Sequence, residues 1–315
     1  MSLFSAFPSP KRKILPPTLA VAVVDNHPRF FCEVVLWTIC ARRNTKFDLA
    51  VVFIDTAPNN LSEWLRAQGV QTVTMETLLT ESPHCNKILP GRMFPGRRIL
   101  VTDCDVFMLN DFDFMLHPKT AGLPENNHCN PPFSTFESIL EAYGLSGPFE
   151  PGLSIFSSRY GRETLGNNVS CGVIWIPPEL SDLWVAWEDC ARWLLQNREI
   201  MGPYKVHVDQ IAMAIALEET KVRFRHLPAQ TNAILHLLPD VRSLYAIHLT
   251  SGHIPRFPEW FDANRHLMVP NNPHISGDLE KLNSAIDEAI PLLATFPETA
   301  TFAENFLNPN WKRKL

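Results

Sequence analysis

The sequence predicts an α/β protein built on a mostly parallel sheet with helices on both faces. Three observations carry this prediction. Short, apolar, β-branched runs recur through the first third of the chain, amphipathic stretches of helical spacing separate them, and two of the runs end on an aspartate. Strands buried on both faces read as continuous apolar runs, and parallel neighbours need crossover helices. Leu19 to Asp25 is the first such strand. Phe30 to Ala41 follows as a helix, with Phe30, Val34, Trp37 and Ala41 on one face. Leu49 to Asp55 repeats the strand, Leu61 to Gln68 is a short helix, and Val70 to Met75 and Arg97 to Thr102 are the third and fourth strands. From His117 to Asn168, Pro, Asn, Gly and Ser dominate around a single helix at Phe133 to Tyr143. A long irregular stretch inside a compact chain is usually a functional loop, here an acceptor-binding region or lid. Beyond it come a strand at Gly172 to Ile176 stopped by Pro177 and Pro178, helices at Leu180 to Asn197 and Val208 to Glu219, and strands at Val222 to Leu227 and Tyr245 to Leu249. The C-terminal part is helix and loop, with Leu279, Leu282, Ile286 and Ile290 spaced to cover one apolar face.

With 315 residues and 45% hydrophobic content the chain can bury a substantial core. A net charge of -5 gives no general attraction to nucleic acid, whose non-specific binding rests on Lys and Arg facing phosphate. Cys32, Cys40, Cys85, Cys104, Cys129, Cys171 and Cys190 form no CxxC pair and no regular spacing, which argues against a disulfide framework or a zinc ribbon and for reduced thiols in a cytoplasmic protein. No run approaches the ~18 apolar residues of a membrane span, and the N-terminus lacks the apolar segment of a signal peptide. Lys11-Arg12-Lys13 and Trp311-Lys312-Arg313-Lys314 are either solvated tails or points of peripheral contact with the inner face of an anionic membrane.

Strands that end on Asp25 and Asp55 place carboxylates at the carboxyl edge of the sheet, where open α/β sheets bind ligands; either residue contacts a base or ribose there, or caps a turn. There is no GxGxxG after either strand and no GxxxxGK[ST] in the chain, so neither a dinucleotide site nor a P-loop is indicated. The sharpest signal is Asp103-Cys104-Asp105, which follows an apolar strand and precedes the apolar run Val106 to Leu109. Alternate residues of an extended segment point the same way, so both carboxylates face one pocket while Cys104 turns away. Hard divalent cations such as Mg²⁺ take oxygen ligands and bridge substrate phosphates. His248 ends a strand and is followed by Ser251 and Gly252, so its ring can reach a pocket while the backbone at Gly252 allows close approach of phosphate; the plainer alternative is a histidine hydrogen-bonded at a strand end. Asp209 opens a helix, where an acid also stabilises the positive end of the dipole, and Gln210 follows it. Lys87 is either solvated or a point charge for phosphate. Trp184, Trp187, Ala191 and Leu194 have the spacing of core packing rather than of a sugar-stacking platform, and His27 and His207 read as structural.

Arg98-Ile-Leu-Val-Thr-Asp-Cys-Asp-Val-Phe-Met-Leu109 resembles the strand, DxD and apolar run of GT-A glycosyltransferases, particularly the family-eight-like enzymes that include bacterial lipopolysaccharide sugar transferases and glycogenin. Three further segments occur in that family's order. Asn168 to Pro177 resembles its N-(S/T)-G-V strand abutting the donor sugar, Val208-Asp209-Gln210 its D-Q helix start, and Ile247 to Gly252 its His-x-x-Gly element, whose histidine completes the metal site. The departures are Ser170-Cys171-Gly172 in place of Asn-Ser-Gly, and the neighbouring His236 and His253, which leave the identity of the metal histidine open. The resemblance implies a GT-A (Rossmann-like) catalytic domain over residues 18–255, with 117–168 as acceptor or lid insertion, a flexible basic N-terminus at 1–17 and a C-terminal helical extension at 256–315. It implies transfer of a sugar from a nucleoside diphosphate, UDP first, to a hydroxyl acceptor, with Mn²⁺ or Mg²⁺ on Asp103, Asp105 and His248. Donor contacts would fall to Asp25, Asp55, Lys87, Asp103, Gly172 and Gly252, with Asp209 on the sugar hydroxyls and Gln210 near the anomeric carbon if configuration is retained. Bacterial surface polysaccharide assembly is the setting the resemblance suggests. A nucleotidyltransferase is the competing enzyme, disfavoured because Val24-Asp25-Asn26-His27 offers no Gly-rich triphosphate loop. A non-catalytic nucleotide-sugar-binding protein is the third alternative.

Overall fold

The computed structural model describes residues 16–126, 129–153, 163–238, 240–249, 260–269 and 272–308. The chain opens as strand β1 (Leu19–Val24), helix α1 (Pro28–Asn44), β2 (Asp48–Ile54), α2 (Asn59–Ala67), β3 (Gln71–Met75), a short helix α3 (Leu89–Met93) and β4 (Ile99–Thr102). The boundaries follow from local chemistry. Pro28 fits the first turn of α1, where its missing N–H costs nothing, and the His27 ring accepts the Arg29 N–H at 3.1 Å. Arg42 and Arg43 complement the negative end of the same helix. A three-residue strand β5 (Val106–Met108) follows β4, then β6 (Ala121–Pro124), α4 (Phe133–Tyr143) and the short pairing of β7 (Pro151–Gly152) with β8 (Thr164–Leu165). The rest is β9 (Val173–Ile176), α5 (Asp182–Gln196), α6 (Val208–Thr220), β10 (Phe224–Leu227), β11 (Ala246–His248), α7 (Ser276–Leu293) and α8 (Pro297–Ala303).

Seven strands form the central sheet in the order β10-β6-β9-β4-β1-β2-β3. All run parallel except β9, which is antiparallel to both β4 and β6. Because β9 is reversed, its start lies at the same edge of the sheet as the ends of β1 and β4. The 117–168 stretch is less irregular than its composition suggests. Its residues Ala121–Pro124 are a buried strand of the central sheet, a strand hidden in the sequence by Gly122 and Pro124, both poor strand formers. Residues 127–128 and 154–162 of that stretch lie outside the described residues, as do 1–15, including Lys11-Arg12-Lys13, and the C-terminal Trp311 to Lys314.

The period of two along β1 sorts its side chains between two cores. Leu19 and Val21 join a layer built from α4, α5 and α6, with Trp184 and Trp187 buried in it as the helical spacing predicts. Ala20, Ala22 and Val24 face α1, α7 and α8, whose Val34, Trp37, Leu279, Leu282, Ile286 and Leu293 form the other layer. The C-terminal helices therefore share the core of the α1 face of the sheet. All seven cysteines are free and buried, and no helix among the described residues is long and apolar enough to cross a membrane.

Candidate active site

The loop after β4 is a tight turn, which corrects the extended geometry expected for Asp103-Cys104-Asp105: Val106 N–H donates to Asp103 O at 3.0 Å. Asp103 is tied from the other side by its own N–H, which donates to Gly172 O at 3.0 Å where antiparallel β9 begins. Beyond the turn, β5 pairs antiparallel with β11 so that His248 sits opposite Val106, and Leu249 N–H donates to Asp105 O at 3.0 Å. This register, over a sequence gap of more than a hundred residues, delivers the imidazole to the carboxylates. His248 Nε2 lies 3.2 Å from Asp105 Oδ1 and 4.0 Å from Asp103 Oδ2. One ligand atom from each of the three residues falls within 4.8 Å of the others, two carboxylate oxygens and an imidazole nitrogen that can hold a divalent cation. His248 is the histidine brought to this cluster; His236 sits in a separate turn, Leu235–Leu237, and Gly252 and His253 lie outside the described residues. Cys104 turns the other way, its thiol donating to Glu33 Oε2 at 3.4 Å.

The cluster has an outer layer that sequence reasoning missed. His248 Nδ1 is 3.0 Å from Asn232 Oδ1, which assigns the proton to Nδ1 and turns Nε2 to the carboxylates. Asn232 in turn donates from Nδ2 to Ser170 Oγ at 3.0 Å. Gly172 packs so closely here that a Cβ would lie 2.8 Å from Asn232 Oδ1 and 3.2 Å from His248 Cε1, which accounts for glycine at that position. Asn232→Ala is expected to weaken Mn²⁺ binding about 10- to 100-fold, measured by electron paramagnetic resonance of free Mn²⁺, because the ring loses the partner that orients it.

Burial alone would depress the His248 pKa, but attraction to Asp105, the hydrogen bond to it and the charge of Asp103 outweigh burial and raise it. Asp105 shows the mirror image: burial would raise its pKa, and His248 and Arg29 bring it below the ordinary value. The sign of the pH dependence follows. In the metal-free protein the contribution of Asp105 to the imidazolium–carboxylate pair is lost at the acid end as pH falls through its lowered pKa, while that of His248 is complete below about pH 6.5, the unfolded value, and is lost as pH rises through its raised pKa. A metal ion must displace that proton, so Mn²⁺ affinity should rise over the same window with about one proton released per ion. Calorimetry in buffers of different ionisation enthalpy measures that proton directly.

Lys87 lies in a 3₁₀ segment, Pro83–Ile88, and is neither solvated nor solitary. Its Nζ is 2.7 Å from Asp103 Oδ1, 3.5 Å from Asp209 Oδ2 and 3.2 Å from Cys171 O. Burial opposes its charge, yet Asp103 and Asp209 more than compensate and hold the ammonium protonated. Asp209, in the first turn of α6, accepts the Trp187 indole N–H on its carbonyl at 2.8 Å, so a core tryptophan also fixes the start of this helix. Gln210 Oε1 accepts from Asn126 Nδ2 at 2.6 Å, and Asn126 also donates to Asn168 Oδ1 at 3.0 Å.

Asp103, Asp105, His248, Lys87, Asp209, Gln210 and Asp25 line one cavity of about 360 Å³ at the carboxyl edge of the sheet. Burial raises the Asp25 pKa, only partly offset by the hydrogen bond from Asn86 Nδ2 at 3.0 Å. Asp55 is not brought there: it adopts φ 62° and binds the Thr77 N–H and hydroxyl at 2.9 Å each, as a turn cap. His207, read as structural from the sequence, lines the cavity together with His84, Phe30 and Arg29.

The architecture around this cavity is the GT-A fold of glycosyltransferases. The galactosyltransferase LgtC, solved with donor and acceptor sugar analogues, superposes with a TM-score of 0.50 at 11% identity over 86% of this chain and 95% of its own. An active-site variant of LgtC gives 0.50 at 12% identity over 85% and 95% of the two chains. The apo form of the glycosyltransferase GlyE of Streptococcus pneumoniae TIGR4 also gives 0.50, at 11% identity, over 88% of this chain but only 64% of GlyE. By sequence, no family model and no curated protein matches.

Proposed function

We propose that the protein is a metal-dependent glycosyltransferase that moves a sugar from a nucleoside diphosphate, UDP first among the candidates, to a hydroxyl acceptor. The observation that carries this reading is the convergence of Asp103, Asp105 and His248 at the rim of a cavity whose other walls supply Lys87, Asp209 and Gln210. Four carboxylates (Asp25, Asp103, Asp105, Asp209) against two permanent cations (Arg29, Lys87) leave this cavity two charges short of neutrality, which suits a divalent ion. Mn²⁺ or Mg²⁺ on the three ligands supplies neutralisation of the diphosphate as its bond to the sugar breaks. The chain's own residues do the rest. Lys87 holds Asp103 and Asp209 in place as a fixed positive charge in a poorly solvated site, where such charges act most strongly. Asp209 faces the space beside it and accepts hydrogen bonds from sugar hydroxyls. The Asn126 contact directs the Gln210 carboxamide, and its NH₂ group remains to meet the donor sugar. LgtC, of the same fold, binds donor and acceptor sugar analogues, which supports both partners here. A nucleotidyltransferase is disfavoured by the turn from β1 to α1, Asp25-Asn26-His27, which carries no glycine to cradle a triphosphate.

The test is nucleotide release from a panel of uridine, guanosine and cytidine sugar donors with Mn²⁺ or with chelator. Metal-dependent release from one donor, stimulated by a carbohydrate acceptor, is the expected result. Turnover of none of them, together with pyrophosphate release from nucleoside triphosphates, would replace this reading with nucleotidyl transfer.

A further inference from the structure

The cavity holds a second permanent cation whose place in the site the sequence does not signal. Arg29, on the first turn of α1, lines the cavity, and its Nε donates to Glu33 Oε1 at 2.7 Å. Glu33 is a carboxylate only 4% exposed on a face of α1 otherwise made of apolar side chains, and its second oxygen accepts the Cys104 thiol. Burial raises the Glu33 pKa to about 8 against the pull of Arg29; a buried carboxyl group is costly unless it is hydrogen-bonded, so its place beneath Arg29 points to a fixed orientation of the guanidinium. The guanidinium carbon lies 4.9 Å from the centroid of the Phe30 ring, which braces the plane from one side. Nη2 is 3.8 Å from Asp105 Oδ2, a Coulombic contact beyond hydrogen-bonding reach. No described residue accepts a hydrogen bond from either terminal nitrogen, while Nε is committed.

We infer that Arg29 is the diphosphate-binding cation of this site: its terminal N–H groups grip phosphate oxygens of a nucleoside diphosphate beside the metal ligands. The inference rests on the nucleotide-sugar reading above and deepens it. The pairing of the two cations favours it. The Lys87 ammonium is shared between Asp103 and Asp209. Among the described residues lining the cavity, Arg29 is the permanent cation whose terminal nitrogens have no hydrogen-bond acceptor of the chain's own. Guanidinium matches phosphate through paired N–H groups and stays charged at any working pH. Anchoring Nε on a buried carboxylate spares the side-chain entropy otherwise lost on binding.

The experiment compares wild type with the double variant Arg29→Met/Glu33→Gln, which removes the pair together and leaves no orphaned buried charge. UDP, GDP and CDP are titrated calorimetrically with saturating Mn²⁺, and Mn²⁺ alone is titrated by electron paramagnetic resonance. The expected result is about 30-fold weaker binding of the preferred diphosphate, with Mn²⁺ affinity unchanged or higher, since a positive charge beside Asp105 has been removed. Loss of Mn²⁺ affinity in proportion to diphosphate affinity would assign Arg29 to bracing Asp105 and overturn the inference. Equal diphosphate affinity in both proteins overturns it and leaves the glycosyltransferase reading intact. Binding of no diphosphate by wild type removes both. If the double variant folds poorly, Arg29→Lys replaces it: a smaller loss in the same sense supports the inference, because ammonium lacks the fork, and undiminished diphosphate affinity overturns it.

Discussion

Asp105→Asn is expected to lower metal-supported nucleotide release by about a thousandfold while leaving the fold in place. Asp105 is buried, and its pKa is held below the ordinary value by His248 and Arg29 despite that burial, so it is an ionised candidate ligand at neutral pH. Asparagine keeps the shape and can still hydrogen-bond the ring, its Nδ2 donating to His248 Nε2, but it brings no charge to the ion. On the proposed reading one of two anionic candidate ligands is thus lost from a group of three, and neutralisation of a departing diphosphate is worth several kcal/mol, roughly the stated factor. Apart from the contacts of His248 and Arg29 with Asp105 itself, the surrounding pairs do not depend on this side chain. Lys87 remains on Asp103 and Asp209, and Arg29 remains on Glu33. The thermal midpoint without metal should fall by no more than the His248–Asp105 pair contributes near neutral pH, while the increase in that midpoint produced by Mn²⁺ in wild type should vanish. Undiminished Mn²⁺-dependent turnover by Asp105→Asn would remove the metal role from this turn.

The parts of the fold that could be read from the sequence are those whose burial is continuous. The strands β1, β2 after Asp48, and β4 up to Thr102 are continuous apolar runs because both faces of each are covered, and the helices α1, α5 and α6 show their buried faces at helical spacing. What escaped is non-local or compositionally unpromising. Strand β6 is Ala-Gly-Leu-Pro, and it is a strand because Phe224–Leu227 and β9 pair with it, not because its residues prefer extension. In the site, Asp25 and Asp55 carry the same signature, a strand ended by aspartate, and meet different fates. The strand order places β1 beside β4 and β2 one strand further out, so Asp25 reaches the cavity of Asp103 and Asp55 caps its own turn instead. Asn232, Asn126 and Arg29 gave no usable signal, since a lone amide in a loop or an arginine at a helix start is ordinarily solvated. Glu33 does carry one, as a charge on an apolar helical face, but only the structure shows the arginine that it holds.

Lys87→Met should be the most destabilising single change in this site, because it removes the positive charge between two carboxylates without removing either of them. Asp103 and Asp209 approach Lys87 Nζ at 2.7 and 3.5 Å in a place where the lysine side chain is only 13% exposed and that of Asp209 only 4%. Breaking a buried ion pair from one side costs about 3 kcal/mol, as the remaining carboxylate must either stay charged in a poorly solvated place or take up a proton. For a chain of this size that is a fall in thermal midpoint of roughly 5 °C. Two controls separate this electrostatic cause from lost packing. Asp209→Asn added to Lys87→Met should restore part of the stability, since one of the unpaired charges disappears with it. Mn²⁺ should raise the midpoint of Lys87→Met more than that of wild type, because a divalent ion beside Asp103 supplies the missing positive charge. Metal cannot replace the ammonium next to Asp209, however, so nucleotide release by Lys87→Met should stay at least about a hundredfold below wild type even at saturating Mn²⁺. A Lys87→Met protein as stable and as active as wild type would show that the ammonium is neither the internal counterion of these two carboxylates nor part of the reaction.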